Sequence, residues 1–460
     1  MRKDCGMRFA NRMLSWMCAG VLGLGLQARA ADVVPERRPT NSHFEQTCGE
    51  ASTDESCTLE GTERRQLSGD VFEYSFRLKV GPGAYDRITV HRVVREQSPG
   101  VPVRAAKSVF LVHGDAWGFR AAFLASATSF AVPRQQSFAI YLAQQGVDVW
   151  GIDLRWVNVP SETNDFSFMK TWNLGLHARD VGTGLSLARA VRGFGGDAGK
   201  MVLLGWSRGA TISYAYLNAE TQQAPEKRLV RGFIPVDMAY KLAPGDESRR
   251  EAACQNYSVL AGAQASGYYE GGAVGALLQG VGLLAIYQPD GVSGLAQGLN
   301  NRQAALTVGE ATFALQNPPV IPYYHFAGGQ FGSEGIPTGL SWTRERFFFD
   351  FLTQASPYQS IGEQVDTFAM WCGSPDVPYD DHLGEVTVPV LYVGAGGGVG
   401  QFGVYSTSLL GSSNVTVHMV QRFPEPARLV DYGHADLWLA DDAASSVWAP
   451  ILDWVQRLYY

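Results

Sequence analysis

The chain has 460 residues, of which 46% are hydrophobic and 18% charged, and it contains 52 glycines. These values are typical of a globular protein and exclude a disordered or fibrous one. With 37 Lys and Arg residues against 44 Asp and Glu residues, the net charge is −7. This charge indicates neither a nucleic-acid-binding protein nor one that binds an anionic membrane surface.

The first thirty residues have the pattern of a secretory signal peptide. A basic start precedes an apolar run over residues 14–26, and an A-x-A sequence ends at Ala30. We therefore expect cleavage near Ala30 and an exported protein, either secreted or periplasmic. No later window has the roughly 18 continuous apolar residues that a membrane span needs, so we expect no stable membrane insertion.

Residues 31–68 are polar and rich in Glu, Arg, Ser and Thr, which predicts an extended N-terminal arm. Beyond the signal peptide the chain carries Cys48, Cys57, Cys254 and Cys372. An even number of cysteines in an exported protein predicts disulfides. The short spacing between Cys48 and Cys57 favours a local pair, which leaves Cys254 and Cys372 as the second pair. Four buried free thiols are the alternative.

From residue 71 the sequence has the alternation of strands. VFEYSFRLKV and RITVHRVV flank a turn that contains Pro-Gly, and together they predict a β-hairpin. Short apolar runs then alternate with helical stretches; among these runs are SVFLVHG, VDVWGIDLR, KMVLLGWSRGA and LVRGFIPVD. Such a succession is typical of a mostly parallel sheet with helices on both faces. The sequence therefore predicts an α/β fold whose core consists of residues 69–237 and 386–460.

The alternation stops after the run LVRGFIPVD and resumes at VTVPVLYVGAG. The intervening residues 238–385 contain a Gly- and Ala-rich apolar stretch and then an aromatic cluster around residues 342–351. Ordinary connections have a median length of about five residues. We therefore predict that residues 238–385 form an inserted cap domain, and we expect most of its apolar side chains to form the cap's own core.

The most specific motif is GWSRG, a G-x-S-x-G sequence that follows the apolar strand MVLL and precedes a helical segment. A serine on a sharp strand-to-helix turn has an exposed hydroxyl, and small residues such as Gly205 and Gly209 permit the tight backbone. The helix N-terminus beside it favours negative charge. We therefore predict that Ser207 is a nucleophile; an ordinary Gly-Ser turn is the alternative.

A serine nucleophile requires hydrogen-bond donors for the oxyanion that develops on the attacked carbonyl. Upstream of Ser207, the predicted strand SVFLV is followed directly by His113 and Gly114. We expect the backbone N–H groups of Asp115 and Arg208 to be the donors, and His113 to orient this loop.

The serine also requires a general base, and the chain has eight histidines. His434 lies in the segment DYGHADLWLA, between the last predicted strand and the terminal helix. From there a base can fold back over the carboxyl edge of a parallel sheet. We predict that His434 is the base; a surface loop histidine is the alternative.

These motifs together resemble those of the α/β-hydrolase superfamily. HGD after a strand, GWSRG at the turn and GHADLW near the C-terminus follow the family's order of oxyanion loop, nucleophile and histidine. The resemblance covers residues 70–240 and 385–460 and implies the α/β-hydrolase fold, with helices on both faces of a mostly parallel sheet. It does not extend to the arm or to the predicted cap, so the cap rests on the lapse in the alternation.

The acidic member of the triad is the point at which the sequence departs from the family. In the family the acid usually follows the strand that corresponds to VPVLYVG, but here the next residues are AGGGVG, without a carboxylate. The family's other position is the end of the strand after the nucleophile, where Asp237 follows FIPV. The resemblance therefore implies that Asp237 orients His434. Asp436 is the rival, and we expect it to hold the histidine loop or to cap the following helix.

We expect neither a metal nor a cofactor. The sequence has no H-E-x-x-H motif, no paired C-x-x-C motifs and no G-x-G-x-x-G placed between a strand and a helix.

The residues and the resemblance predict an exported serine hydrolase that cleaves a carboxylic ester through an acyl-enzyme on Ser207. The expected substrate is a small-molecule or oligomeric ester. A peptidase, amidase or lactonase would use the same residues and is the first alternative. A catalytically silent relative that serves as a binding module is the second, although a binding surface would not require the three triad residues together.

Overall fold

The computed structural model describes residues 57–316 and 318–459. The expected signal peptide, Cys48 and most of the expected N-terminal arm lie outside the described residues. Cleavage near Ala30 and the Cys48–Cys57 pair therefore stay predictions.

The strands of the described residues are numbered in chain order. They are β1 (Thr58–Ser68), β2 (Val71–Lys79), β3 (Arg87–Ser98), β4 (Val101–Pro102), β5 (Lys107–Val112), β6 (Val147–Asp153), β7 (Met201–Trp206), β8 (Val230–Val236), β9 (Gly329–Phe331), β10 (Pro337–Leu340), β11 (Val390–Ala395) and β12 (Val415–Val420).

The α-helices lie between and after these strands. They are α1 (Phe119–Phe123), α2 (Phe138–Gln144), α3 (Leu174–Phe194), α4 (Arg208–Glu220), α5 (Glu247–Ala265), α6 (Val274–Tyr287), α7 (Asn301–Glu310), α8 (Glu345–Thr353), α9 (Gly362–Cys372), α10 (Val404–Thr407), α11 (Asp436–Leu439) and α12 (Ala449–Arg457).

One large sheet organises the molecule, with the order β1-β2-β3-β6-β5-β7-β8-β11-β12, and β4 pairs with β3. β1, β2, β3 and β6 pair antiparallel, whereas β6, β5, β7, β8, β11 and β12 are successively parallel. The parallel strands therefore direct their carboxyl ends to one edge, where the loops after β5, β7, β8 and β11 meet. In open α/β sheets this edge is the usual place for a ligand.

Helices cover both faces of the parallel part, which explains why its strands are continuously apolar. All of β7 and all of β11 are buried. On β5, Val109 and Leu111 pack in a cluster with residues of α1, α2 and α12, whereas Phe110 and Val112 pack in a second cluster with residues of α3 and α4. The mostly parallel α/β architecture predicted from the sequence is confirmed.

The sheet begins earlier than we expected. β1 lies inside residues 31–68, the segment that the sequence assigned to an arm, and it pairs with β2 along its length. Most side chains of β1 are exposed, so the strand has no apolar face that a sequence pattern could reveal. Charged residues are typical of edge strands, because they discourage pairing with other chains.

The chain between β8 and β11 contains helices α5 to α9 and the β9–β10 hairpin. The predicted aromatic cluster lies here, and Phe347, Phe348, Phe349 and Phe351 of α8 are buried. They belong to the same apolar cluster as residues of β5 and α2. These phenylalanines therefore pack against the residues of the sheet as well as within the chain between β8 and β11, here called the inserted segment.

The predicted disulfide between Cys254 and Cys372 is confirmed. It joins α5 to the last residue of α9. The two helices also pack closely along their length, so the covalent bond lies within a helix pair.

No helix in the described part of the chain is both long enough and apolar enough to cross a membrane.

We expect the disulfide to stabilise the protein, because it restricts the unfolded chain between two residues that are 118 positions apart. A variant with Cys254→Ser and Cys372→Ser should lose about 2–5 kcal/mol of unfolding free energy, measured by chemical denaturation. Peptide mapping of the wild-type protein without reductant should recover the two cysteines in one linked pair. Equal stability of the two proteins, or free thiols at both positions, would contradict this assignment.

Candidate active site

Ser207 stands at the turn between β7 and α4, as the motif predicted. Its backbone has φ 56° and ψ −131°, a strained conformation for a residue with a side chain. A Cβ atom at Gly205 would collide with the carbonyl of Gly209, and one at Gly209 would collide with the carbonyl of Val112. The two glycines therefore permit the turn that lifts Ser207 out of the sheet.

His434 and Asp237 meet through a hydrogen bond of 2.6 Å between His434 Nδ1 and Asp237 Oδ2. Both residues are almost completely buried, with 1% and 0% exposure. Asp237 directly follows β8, and His434 lies in the loop before α11. The other ring nitrogen of His434, Nε2, is buried and has no hydrogen-bond partner among the described residues.

The carboxylate of Asp237 is held by the glycine-rich loop that follows β11. Oδ1 accepts hydrogen bonds from the backbone N–H groups of Ala395 (2.8 Å) and Gly400 (2.7 Å), and Oδ2 accepts one from Val399 (3.1 Å). A Cβ atom at Gly398 would collide with Oδ2. The loop therefore provides donors and space for Asp237 rather than a carboxylate of its own.

These contacts decide the charge of Asp237. Burial alone would raise its pKa, but the hydrogen bond and charge of His434, together with the N–H groups of Ala395 and Gly400, bring the pKa below the ordinary aspartate value. Asp237 is therefore an ionised carboxylate in a buried position, as an acceptor for the Nδ1–H of His434 should be.

Aromatic rings surround His434. Its ring stacks on Trp206 at a centroid distance of 5.0 Å, and Tyr324 and Phe326 lie at 5.3 Å and 5.6 Å. The backbone N–H groups of His434 and Ala435 donate to carbonyl oxygens of residues 325 and 326. The inserted segment therefore supports the histidine loop, a role that we did not predict from the sequence.

Asp436 makes a different set of contacts from Asp237. Its Oδ2 accepts hydrogen bonds from the backbone N–H groups of Gly328 (2.7 Å) and Gly433 (2.7 Å), and its Oδ1 accepts one from the hydroxyl of Thr343 (2.6 Å). It makes no hydrogen bond to the ring of His434. Burial raises the pKa of Asp436 to about 6.

His113 fastens the loop after β5 to the end of β6. Its Nε2 accepts a hydrogen bond from the backbone N–H of Leu154 (3.1 Å), so Nδ1 carries the proton and donates to the carbonyl of Gly114 (2.9 Å). Burial lowers the pKa of His113, in keeping with a neutral imidazole. Gly114 faces Ser207, because a Cβ atom at Gly114 would lie 2.6 Å from Ser207 Cβ.

Asp115 and Arg208 were expected to contribute backbone N–H groups, and their side chains are also joined. Arg208 Nε donates to Asp115 Oδ1 (2.9 Å), and Nη2 donates to Oδ2 (2.8 Å). Burial would raise the pKa of Asp115, but the charge and hydrogen bonds of Arg208 bring it below its ordinary value. Since Arg208 is the first residue of α4, its backbone N–H has no partner within the helix.

The described residues contain no group of three or more His, Cys, Asp or Glu side chains placed to hold a metal ion.

We expect the raised pKa of Asp436 to make its replacement pH-dependent. The folded protein binds a proton at Asp436 more tightly than the unfolded chain does, so the free energy of unfolding falls as pH rises from about 4 to about 6. Asp436→Asn removes this penalty. The variant should therefore gain stability relative to the wild type, by up to about 3 kcal/mol between pH 4 and pH 7.

The control for this prediction is Asp453→Asn, which neutralises an exposed aspartate of α12. Denaturation curves at pH 4, 5, 6 and 7 should show the pH-dependent difference for Asp436→Asn alone. A difference that is constant with pH would show that Asp436 is not the titrating group.

Comparisons with known proteins give a relationship at the level of fold. No family model matches the chain, and no curated protein matches it. A protein from Sulfolobus solfataricus described as a candidate lipase is similar in structure, with a TM-score of 0.58 and 16% identity over 86% of this chain and 99% of its own.

Two further solved structures are similar to this chain at lower TM-scores. A soluble variant of monoglyceride lipase from Saccharomyces cerevisiae has a TM-score of 0.39 and 12% identity, over 87% of this chain and 96% of its own. A thermophilic esterase from Thermogutta terrifontis has a TM-score of 0.37 and 13% identity, over 86% of this chain and 100% of its own. From the parallel sheet, the order of its loops and the similarity to the Sulfolobus structure, it follows that the chain has the α/β-hydrolase fold.

Proposed function

We propose that the protein is a serine hydrolase that cleaves a carboxylic ester through an acyl-enzyme on Ser207. The observation that carries this proposal is the buried hydrogen bond of 2.6 Å between His434 Nδ1 and the ionised Asp237. This bond leaves Nε2 of His434 as the proton acceptor, and the strained strand-to-helix turn at Ser207 supplies the hydroxyl. Buried His177 shows the same pattern of a carboxylate on Nδ1 and an unpartnered Nε2, but it belongs to α3. His434 differs in its place, because its ring stacks on Trp206, the residue before Ser207.

In the first half of the reaction, Ser207 Oγ attacks the carbonyl carbon of the ester and its proton passes to His434 Nε2. Asp237 stabilises the resulting imidazolium. The backbone N–H groups of Asp115 and Arg208 donate to the oxyanion of the tetrahedral intermediate. When the intermediate collapses, His434 gives the proton to the departing alcohol oxygen, and the acyl group stays on Ser207.

In the second half, water attacks the acyl-enzyme and His434 Nε2 takes the proton from that water. The second tetrahedral intermediate uses the same backbone donors. Its collapse releases the carboxylic acid, and His434 returns the proton to Ser207 Oγ. His434 is thus general base and then general acid in each half.

The surroundings of His434 support an uncharged ester with an apolar or aromatic group. Tyr324 and Phe326 contact the histidine ring and are only partly buried. Asp115 and Arg208 neutralise each other in a bidentate ion pair, so they do not call for a charged group on the substrate. Small-molecule and oligomeric esters both meet these requirements, and a panel that includes amides and lactones would separate the alternatives.

The proposal includes export of the protein. The Cys254–Cys372 disulfide supports it, because disulfides persist in oxidising compartments outside the cytosol. The expected signal peptide would provide the route to the periplasm or the medium.

A fluorophosphonate should label the purified protein on Ser207, because such probes react with activated serines. Ser207→Ala should abolish labelling and reduce turnover of an activated ester by at least about 10⁴-fold, with unchanged folding. Ser408→Ala, at an exposed serine, serves as the matched control and should behave like the wild type. Mass mapping of the adduct to another residue, or no labelling of the wild type, would refute the proposal.

The two carboxylates should differ strongly in their effect on turnover. Asp237→Asn should reduce kcat by on the order of 10³–10⁴-fold, because the introduced amide favours the wrong histidine tautomer. Asp436→Asn should reduce kcat by less than about 10-fold, because Asp436 bonds to Gly328, Gly433 and Thr343 and not to the ring of His434. Steady-state kinetics of both variants checks this, and the reverse ranking would assign the triad acid to Asp436.

A further inference from the structure

The loop at residues 113–118, here called the oxyanion loop, is held from outside by the inserted segment. The indole Nε1 of Trp117 donates to the carbonyl of Phe351 (2.9 Å), and the two rings stack at 4.3 Å. The backbone N–H of Ser356 donates to the carbonyl of Ala116 (2.6 Å). Ala116 itself has φ 64°, a conformation that needs support from its surroundings.

Gln359, in the same inserted segment, contacts the oxyanion loop with both ends of its amide group. Its Nε2 donates to Asp115 Oδ1 (2.5 Å), and its Oε1 accepts a hydrogen bond from the backbone N–H of Ala116 (3.3 Å). The two loop residues are adjacent, so a single side chain fixes both the carboxylate of Asp115 and the peptide unit that follows it.

Gln359 is itself fixed by a buried carboxylate. Its Nε2 also donates to Glu363 Oε1 (3.0 Å), and Glu363 Oε2 lies 2.7 Å from His177 Nδ1. Glu363 and His177 are both fully buried. Since His177 belongs to α3, which packs against the sheet, this contact anchors the inserted segment to the core.

We propose that Gln359 is a positioning residue for the oxyanion hole: it holds Asp115, and with it the backbone N–H that receives the oxyanion. The inference rests on the proposed function, because it assigns a structural cause to one step of that reaction. Gln359 acts through Asp115 and the Asp115–Arg208 ion pair. It therefore links the inserted segment to both residues whose N–H groups the proposed function assigns to the oxyanion.

The principal test compares Gln359→Leu with Gln354→Leu. Gln354 is exposed, and within the described part of the chain its side chain bonds only to its neighbour Thr353, so the same substitution there serves as a matched control. Hydrogen–deuterium exchange of a peptide that spans residues 113–118 reports on the loop without any substrate. Gln359→Leu should accelerate this exchange about tenfold or more, whereas Gln354→Leu should leave it unchanged.

The kinetic readout separates a positioning role from a loss of substrate affinity. Gln359→Leu should lower kcat for an activated ester by about 10- to 100-fold. Removal of one oxyanion donor typically lowers kcat by about 10²–10³-fold, and the effect should be smaller here because the donor stays present but is held less firmly. KM should stay within about twofold, because Gln359 is assigned no contact with the substrate. A lowered melting temperature with unchanged kcat would indicate structural support only and would overturn the proposal.

A second variant, Gln359→Glu, adds a pH signature that loss of packing does not produce. The introduced carboxyl keeps the acceptor for Ala116 but, when ionised, lies among the carboxylates of Asp115, Glu363 and Glu270, the last of which accepts from the backbone of residue 359. The facing guanidinium is that of Arg208, and the imidazole of His177 bonds to Glu363. When protonated, the introduced carboxyl again donates to Asp115. The ratio of variant to wild-type kcat should therefore rise by about tenfold as pH falls.

The outcomes distinguish this inference from the function on which it rests. Faster loop exchange together with a lower kcat in Gln359→Leu supports it. Exchange and kcat within twofold of wild type would overturn it, even if fluorophosphonate labels Ser207. A wild-type protein that is not labelled at Ser207 would refute the serine hydrolase and with it the role of Gln359 in turnover, whatever the exchange shows. If Gln359→Leu does not fold, a pH-independent kcat ratio for Gln359→Glu would likewise overturn the inference.

Discussion

The site depends on one buried ion, the carboxylate of Asp237. A carboxylate without exposure is costly unless hydrogen bonds satisfy it. Here three backbone N–H groups and the ring of His434 surround it. This requirement explains the glycine run after β11, since the loop must turn closely enough to direct several N–H groups at one carboxylate. It also fixes the position of the histidine loop, because His434 has to reach a carboxylate at the end of β8.

The predictions that succeeded rest on local patterns. Apolar runs separated by helices predicted the parallel sheet, and GWSRG predicted the turn at Ser207, because strand, turn and helix are consecutive in the chain. Partners that are distant in sequence left no such pattern. The contacts of Gln359 with Asp115 and of Tyr324 with His434 join residues that are far apart in the chain. β1 was missed for another reason: an exposed edge strand carries no apolar alternation.

Two aspartates near the same histidine show how environment separates residues of one type. Asp436 is nearer to His434 in sequence, yet its oxygens are occupied by two N–H groups and a hydroxyl that shape the loop. Asp237 is distant in sequence but bonds directly to the ring. Their pKa values move in opposite directions, because Asp237 has a partner that can carry positive charge and Asp436 does not. Sequence proximity could not have distinguished them without the strand order.

The stacking of Trp117 on Phe351 has a consequence for how such proteins can diversify. A cap that only covered a site could be exchanged between relatives as a module. In this chain the inserted segment also forms part of the wall behind the oxyanion loop, so a recombinant that brings in a foreign segment has to supply an aromatic ring and a carbonyl at the same place. New specificities should therefore arise more readily by substitution within the segment than by replacement of the whole.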